Sequence, residues 1–591
     1  MCGIAGIIGG TPRNATQAVS SMLDAIRHRG PDGEGIKTFP TCVLGHVRLS
    51  IVDLEGGSQP MDCALTKRSV VFNGEIYGYQ KLRRNLTSYP FLTSSDTEVL
   101  LALYDQHGQA TPQKHGGMFS YAIWDEGKRT LFAARDRFGE KPFFYAFGRN
   151  GEFIFCSEIK GIIASRLIEP ILDTDSVRHF FRYLYVHPYR TIFSNIHTLP
   201  PAHNLVYNQA SHKTTIQRYW EIPLTGSRTI GLGDAAEEFR HLFEKAVEEQ
   251  LVADVPVGSF LSGGLDSSTV VAVAAGMKPG LRTFSFGFED HVSELPYALQ
   301  IASRYQTSHQ ELTAKVVDVG ELILRMDSVY DEPLADSSNI PTYLISEMAS
   351  NNLKVVLSGD GADELLGGYA WWYRPLLEQE AGKTLRDRFF RLFTSRTLRY
   401  RKRYSNKPVY FSNQDLNQLG IVPDEVVYDC LCSKPPAGDI TDALAMDLCN
   451  YMPGDILVKT DRASMANSLE LRAPFLDADL AAFIISLPGA LKIDRHSDKI
   501  ILRKAYASKW TDAIRQRGKQ GFGAPVPQWL KRKSVEEVKK RYLLDKNRKI
   551  YSYLDADAIT RFAAEDSQKT WSLLVFAIWF ENRSIRFQER R

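Results

Sequence analysis

Up to about residue 205 the chain alternates short apolar runs with turns: IAGIIGG, CVLGHVRLSIV, SVVFNGEIY, FSYAIWD, RTLFAARDRFG, KPFFYAF and EFIFCSE. Runs of this length, rich in β-branched and aromatic residues and bounded by glycine and aspartate, predict strands. Helical spacing interrupts them at Val19, Met22, Leu23 and Ile26, and again across TEVLLALYDQHG. Residues 1–205 therefore read as an α+β domain, an antiparallel sheet with packed helices. From about residue 233 to 591 long helical patterns alternate with short apolar strands, LRTFSFGF and LKVVL among them, which predicts an α/β domain on a parallel sheet. Polar, glycine-bearing stretches, NQASHK and LTGSRTIGLG, predict a linker over 206–232. The run LLVFAIWF near the C-terminus is too short to span a bilayer and predicts a buried helix.

Composition narrows the function classes. Lys plus Arg number 72 and Asp plus Glu 69, a formal net charge of +3, so no whole-surface attraction draws the chain to nucleic acid or an anionic membrane. Seven cysteines are sparse over 591 residues and lack paired CxxC spacing for zinc, which predicts a reduced, cytoplasmic protein. A basic cluster from Lys383 to Arg403, interleaved with aromatic residues, reads as a solvated helix face. The GKT at 382–384 lacks the upstream glycine of a Walker A loop.

Two short stretches carry chemistry. In LSGGLDSS, Leu261 to Ser268, Gly263 and Gly264 let successive backbone N–H groups converge on an anion at the mouth of a helix, and Ser262, Ser267 and Ser268 add hydroxyl donors. Asp266 would repel a phosphate there unless a divalent cation lay between them, as hard oxygen ligands favour for magnesium. A second acidic loop, SGDGADE, follows LKVVL and brings Asp360, Asp363 and Glu364; loops at the carboxyl ends of parallel strands meet in one crevice. At the other end, MCGI would leave Cys2 first once Met1 is removed. Its α-amine, with an ordinary pKa of about 7.7 to 8.0, then suits it to take the thiol proton.

The SGGLDSS loop resembles the pyrophosphate-binding loop of the ATP-pyrophosphatase family, with an adenine nucleotide alpha hydrolase-like fold. MCGIAGI, RHRGPDGEG, GHVRLSIVD, FNGEIYGY and SSDTEVLLALY together resemble the class II glutamine amidotransferase domain, an N-terminal-nucleophile hydrolase with an αββα sandwich. In this order, and with DEPLADSSNIPTYL, SGDGADELLGGY, DILVKTDRASMANSLELRAPFLD and KQGFGAPVPQWL, the whole chain resembles the glutamine-hydrolysing asparagine synthetase family.

That resemblance implies Cys2 as nucleophile, Asn73 and Gly74 as the oxyanion hole, and Arg48, Glu75 and Asp96 as the glutamine-binding residues. It assigns Leu261, Ser285, Phe286, Ser358 and Gly359 to ATP beside the loop residues, Asp266 and Asp363 to Mg2+, and Lys499 to the charge developing on the phosphates. Asp360 stands where some members carry a glutamate acting as base, and Gly78 where the family often has asparagine. The implied reaction joins ammonia from glutamine to an aspartyl-AMP. Relatives with both domains amidate other carboxylates, such as sugar acids, peptides or natural-product precursors, and dimerising members supply a prior for a homodimer. A degenerate binding scaffold would have lost Cys2, Asp266, Asp363 or Lys499. A tRNA-modifying enzyme would leave the glutaminase half unexplained.

Overall fold

The computed structural model describes residues 1–223, 225–287, 293–313, 317–381, 409–423, 440–518 and 523–587. Two six-stranded sheets and one five-stranded sheet organise them. The first sheet runs Ile196–Thr198, Phe144–Phe147, Phe153–Cys156, Gly3–Ile8, Cys42–Arg48, Gly33–Thr38, and the second Lys213–Arg218, His203–Asn208, Thr130–Arg135, Met118–Asp125, Arg68–Glu75, Met61–Asp62; the paired strands are antiparallel throughout.

Period-two alternation explains how they stack. Along Met118–Asp125, Ala122 and Trp124 join Ile4, Leu44 and Val71 in the core between the sheets, whereas Phe119, Tyr121 and Ile123 face the opposite way, into a core with Val99, Leu100 and Leu103 of the helix Asp96–His107. The helix Pro12–Ala25 covers the other sheet through Val19, Met22 and Leu23. Helix, sheet, sheet, helix is the αββα sandwich of an N-terminal-nucleophile hydrolase.

The third sheet is fully parallel, in the order Ser308–Thr313, Arg282–Gly287, Val257–Phe260, Val355–Leu357, Glu470–Arg472. Strand order reverses at its centre, between Val257–Phe260 and Val355–Leu357. The loops that follow these two strands therefore diverge and open a crevice at their carboxyl ends. LLVFAIWF lies within the helix Gln568–Glu581, as expected, and its aromatic residues are buried. Among the described residues no helix is long and apolar enough to cross a membrane.

Residues 206–218, read from sequence as linker, instead continue the second sheet. His203–Asn208 pairs with Thr130–Arg135, and Lys213–Arg218 pairs with His203–Asn208 as the edge strand. The helix Leu232–Gln250 begins at the far side of the connection.

The two halves are locked by buried charge. Arg29, fully buried, donates from Nη1 to Glu158 Oε1 at 2.8 Å and to Asp461 Oδ2 at 2.9 Å, while its Nε reaches the Cys2 carbonyl at 3.1 Å. Asp461 belongs to the helix Leu457–Met465 of the second half. Replacing Arg29 with Met keeps the stem but removes one of several cations from two buried carboxylates, Glu158 keeping Lys160 at 3.1 Å and Asp461 keeping Arg462 at 2.9 Å, a loss of about 1–3 kcal/mol. The Arg29→Met protein is expected to show a clearly lower urea midpoint than the parent; an unchanged midpoint contradicts the interlock.

Candidate functional site

A cavity of about 340 Å³ is lined by Cys2, Arg48, Gly74, Glu75, Asp96 and Glu470 among others. Cys2 stands just before the strand Gly3–Ile8, Asn73, Gly74 and Glu75 end the strand Arg68–Glu75, and Asp96 opens the helix that Ser95 caps through Thr97 N. The Cys2 backbone N–H donates to Asn73 Oδ1 at 3.1 Å. Asn73 is fully buried and among the described residues its Nδ2 has no partner, an orphaned donor of the kind that an oxyanion would satisfy. At Gly74 φ is +154°, and a Cβ there would come within 2.1 Å of the Met118 carbonyl oxygen, so only glycine fits.

The ligand-facing charges are arranged for an amino acid. Arg48 donates to the carbonyls of Asp53 (2.6 Å) and Leu54 (3.0 Å) and forms no ion pair among the described residues, which leaves its charge for a carboxylate. Asp96 Oδ2 accepts from Ile76 N at 3.0 Å; burial nevertheless pushes its carboxyl up to about 6. Burial and the neighbouring Asp96 push Glu75 well above the usual carboxylate range, and burial raises the Cys2 thiol. Met1 is present, and its α-ammonium lies 2.8 Å from Glu470 Oε2. Burial pulls the Glu470 carboxyl upward, but that ammonium and Arg472 hold it at about 2.

The second site lies in the crevice of the parallel sheet. A cavity of about 460 Å³ is lined by Ser262, Gly263, Gly264, Asp266, Lys499 and Arg517, with others. Gly263 has φ +72°, and a Cβ would meet Ala298 N at 2.6 Å. Ser262 and Ser267 hydroxyls lie 3.0 Å apart, Ser268 is fully buried behind them, and Ser285 Oγ donates to the Leu261 carbonyl. Phe286 is buried on the adjacent strand. From the neighbouring loop Ser358 Oγ donates to Asp360 Oδ2 at 2.9 Å, and Gly359 packs so closely that a Cβ would lie 2.9 Å from that of Asp266. Lys499 joins the two loops: its Nζ is 2.5 Å from Asp266 Oδ2 and 2.5 Å from Asp363 Oδ1. Its backbone is left-handed, φ +50°, an uncommon state for lysine.

A family model for asparagine synthase matches residues 238–581, and one for a glutamine amidotransferase domain matches residues 1–220. Asparagine synthetase [glutamine-hydrolyzing] 1 of Bacillus subtilis is 31% identical over 100% of this chain and 98% of its own. Asparagine synthetase [glutamine-hydrolyzing] 3 of the same organism is 31% identical over 90% of this chain and 89% of its own. The chain belongs to the asparagine synthase family. The solved B. subtilis glutamine phosphoribosylpyrophosphate amidotransferase is similar at 18% identity and TM-score 0.29, covering 48% of this chain and 65% of its own.

In this asparagine synthase family chain several site residues escape a sequence reading. Glu470 and Arg472 come from the edge strand of the parallel sheet, yet Glu470 walls the Cys2 cavity, and Arg472 lies 3.3 Å from Glu75 and 2.6 Å from Glu470. Arg517 lines the glycine-loop cavity and pairs with Glu294 at 2.6 Å. Nothing local in LELR ties it to a cysteine at the other end of the chain. The basic segment 383–403 and the start of the KQGFGAPVPQWL block lie outside the described residues. Gly78, with φ +67°, caps the helix Tyr79–Asn85 without a side-chain bond.

Proposed function

We propose that this protein is a glutamine-dependent asparagine synthetase with a glutaminase half ending near residue 218 and a synthetase half beginning near residue 232. Membership of the family supports a carbon–nitrogen ligase that takes nitrogen from glutamine. The observation that carries the two-site reading is that the Cys2 cavity is walled by Glu470, from the same parallel sheet that holds the glycine loop. One body then contains both the nitrogen source and the activation site.

In the glutaminase half, loss of Met1 would give Cys2 a free α-amine next to Asn73 Oδ1 and turn it into its own base. Cys2 Sγ attacks the glutamine amide, Asn73 Nδ2 and the Gly74 N–H receive the oxyanion, and ammonia leaves as the thioester forms. Arg48 holds the glutamine carboxylate, and Asp96 with Glu75 its ammonium. Water then releases glutamate.

In the synthetase half, the aspartate carboxylate attacks the α-phosphorus of ATP and pyrophosphate leaves; ammonia adds to the acyl adenylate and AMP leaves. Adenylation is required because a free carboxylate is a poor electrophile. Asp266 and Asp363 converge on the Lys499 ammonium and are hard oxygen donors of the kind magnesium prefers, so they would hold that ion; when bound, it would neutralise phosphate charge. Among the described residues no third carboxylate, histidine or cysteine joins them. Lys499 would neutralise charge developing on the departing pyrophosphate, and Asp360 would be the carboxylate that takes a proton from the attacking ammonia.

The deciding experiment follows pyrophosphate and asparagine together with ATP, magnesium and glutamine, with and without aspartate. Aspartate-dependent release of both is expected. Glutaminase activity with neither product would reject aspartate and point to another carboxylate acceptor.

Asp96 also sets a pH limb. It is ionised above about 6 and protonated below, so its attraction for the glutamine ammonium is lost as pH falls through that value. The glutaminase kcat/KM should fall about tenfold per pH unit below it. A profile flat down to pH 4.5 would remove Asp96 from glutamine binding.

A further inference from the structure

The guanidinium of Arg48 rests on a loop that the second half of the chain holds in place. After the strand Cys42–Arg48 the backbone bends back through residues 49–57, and Leu49, Ile51, Val52 and Gly57 line the Cys2 cavity. Three consecutive carbonyls of this loop, those of Val52 (3.3 Å), Asp53 (2.6 Å) and Leu54 (3.0 Å), accept from Arg48. Gly57 lets the guanidinium lie across the loop, since a Cβ there would come within 2.3 Å of Arg48 Nη2. Where the loop goes, the charge goes.

The loop turns at Asp53, φ +49°, a left-handed state that costs free energy unless contacts hold it. Its side chain is held within the first half: Oδ1 accepts from Gly56 N at 2.9 Å, and Oδ2 from Ser94 N at 2.7 Å, two residues before Asp96. Ser50 N likewise donates to Asp32 Oδ2 at 2.7 Å. The backbone of the turn is held from the second half. Asp53 N donates to Asp254 Oδ2 at 2.7 Å, and Asp254 N donates to the Ile51 carbonyl at 2.9 Å, so one residue grips the turn at two points.

Asp254 stands on a fixed base. It lies between the helix Leu232–Gln250 and the strand Val257–Phe260, and Arg472 Nη1 donates to the carbonyls of Gln250 (2.8 Å) and Val252 (2.7 Å). Arg472 is itself fully buried and lies 3.3 Å from Glu75, a wall of the same cavity. The turn is the softer partner, with Leu54 and Glu55 exposed at its tip.

We propose that Asp254 is a positioning residue: it sets the place of Arg48 through the Asp53 turn, and through Arg48 the grip on the glutamine carboxylate. The inference rests on glutamine as the occupant of the Cys2 cavity. Asp254 does not line that cavity, so it acts through the loop. Its bond to Asp53 is exposed, so in Asp254→Ala water takes over the hydrogen bond without fixing the turn, and the cost falls on binding rather than on stability. The glutamine carboxylate is remote from the reacting amide and is held alike in ground and transition states. Looser placement of Arg48 therefore raises KM and leaves kcat.

Glutaminase kinetics without ATP test this. Asp254→Ala should raise the KM for glutamine about fivefold with kcat within about twofold of the parent, and Asp254→Asn, whose side-chain oxygen still accepts from Asp53 N, should restore most of it. Amide hydrogen exchange over residues 51–57, with no substrate present, should quicken about fivefold in Asp254→Ala and stay at the parent rate in Asp254→Asn. Asp254→Leu takes the place of Asp254→Ala if that variant does not fold. An unchanged KM overturns the proposal, as does a fall in kcat with KM unmoved, an equal rise in KM in Asp254→Asn, or unchanged exchange. If the parent does not hydrolyse glutamine, the functional reading fails; exchange quickened only where the acceptor is lost would still uphold the placement of Arg48 by Asp254, and unchanged exchange would overturn that too.

Discussion

Cys2→Ala is expected to lower glutamine-dependent asparagine formation by about 10³-fold or more while leaving synthesis from added ammonia near the parent rate. The substitution removes one sulfur from a residue whose structural bonds are made by its backbone: its N–H donates to Asn73, and its carbonyl accepts from Arg29. Alanine keeps both, so the interlock between the halves survives. What disappears is the only atom in the cavity able to form a thioester. The glycine-loop cavity, with Asp266 and Lys499, shares no residue with it. Glutamate release and asparagine formation measured side by side, with each nitrogen source, check the expectation. Loss of both activities in a folded variant would contradict separate sites.

Much of this arrangement was legible because each half of the chemistry is written in local motifs. NGE at the end of one strand and SSD at the start of one helix become cavity walls as soon as strand and helix form, and the glycine loop lies where an apolar strand meets a helix. Strands with one or both faces buried announced themselves by their apolar residues. Gly33–Thr38 and Lys213–Arg218 did not, because both are edge strands with mostly exposed side chains and carry no apolar alternation. Sequence alone therefore reads Lys213–Arg218 as part of a linker. The partnership of Arg29 with Asp461 spans 432 positions, and neither half of the pair has a local reason to be charged. Buried ion pairs across a domain interface satisfy a demand created only by the docked structure.

Asp266→Asn should do the reverse of Cys2→Ala: glutamine hydrolysis continues, and AMP formation falls by about 10³-fold. Asparagine amide matches the carboxylate in shape, which matters because Gly359 already approaches the Asp266 Cβ more closely than another side chain could. The change is therefore one of charge. Lys499 Nζ contacts both Asp266 and Asp363, so these two carboxylates meet at one ammonium. Removing one leaves a balanced Lys499–Asp363 pair and relieves a like-charge contact, so the thermal midpoint should hold or rise. An activity lost together with the fold would point to a structural role; an activity lost from a protein at least as stable points to phosphate and metal chemistry. Lys499 is held in a left-handed backbone, a conformation that costs free energy unless its surroundings over-determine it. With Asp266 neutral, Lys499 is expected to remain on Asp363, still beside the loop but without the second carboxylate needed to hold a divalent ion against the phosphates. If AMP formation survives in Asp266→Asn, neither the metal assignment nor the guest proposed for the glycine loop can stand as written.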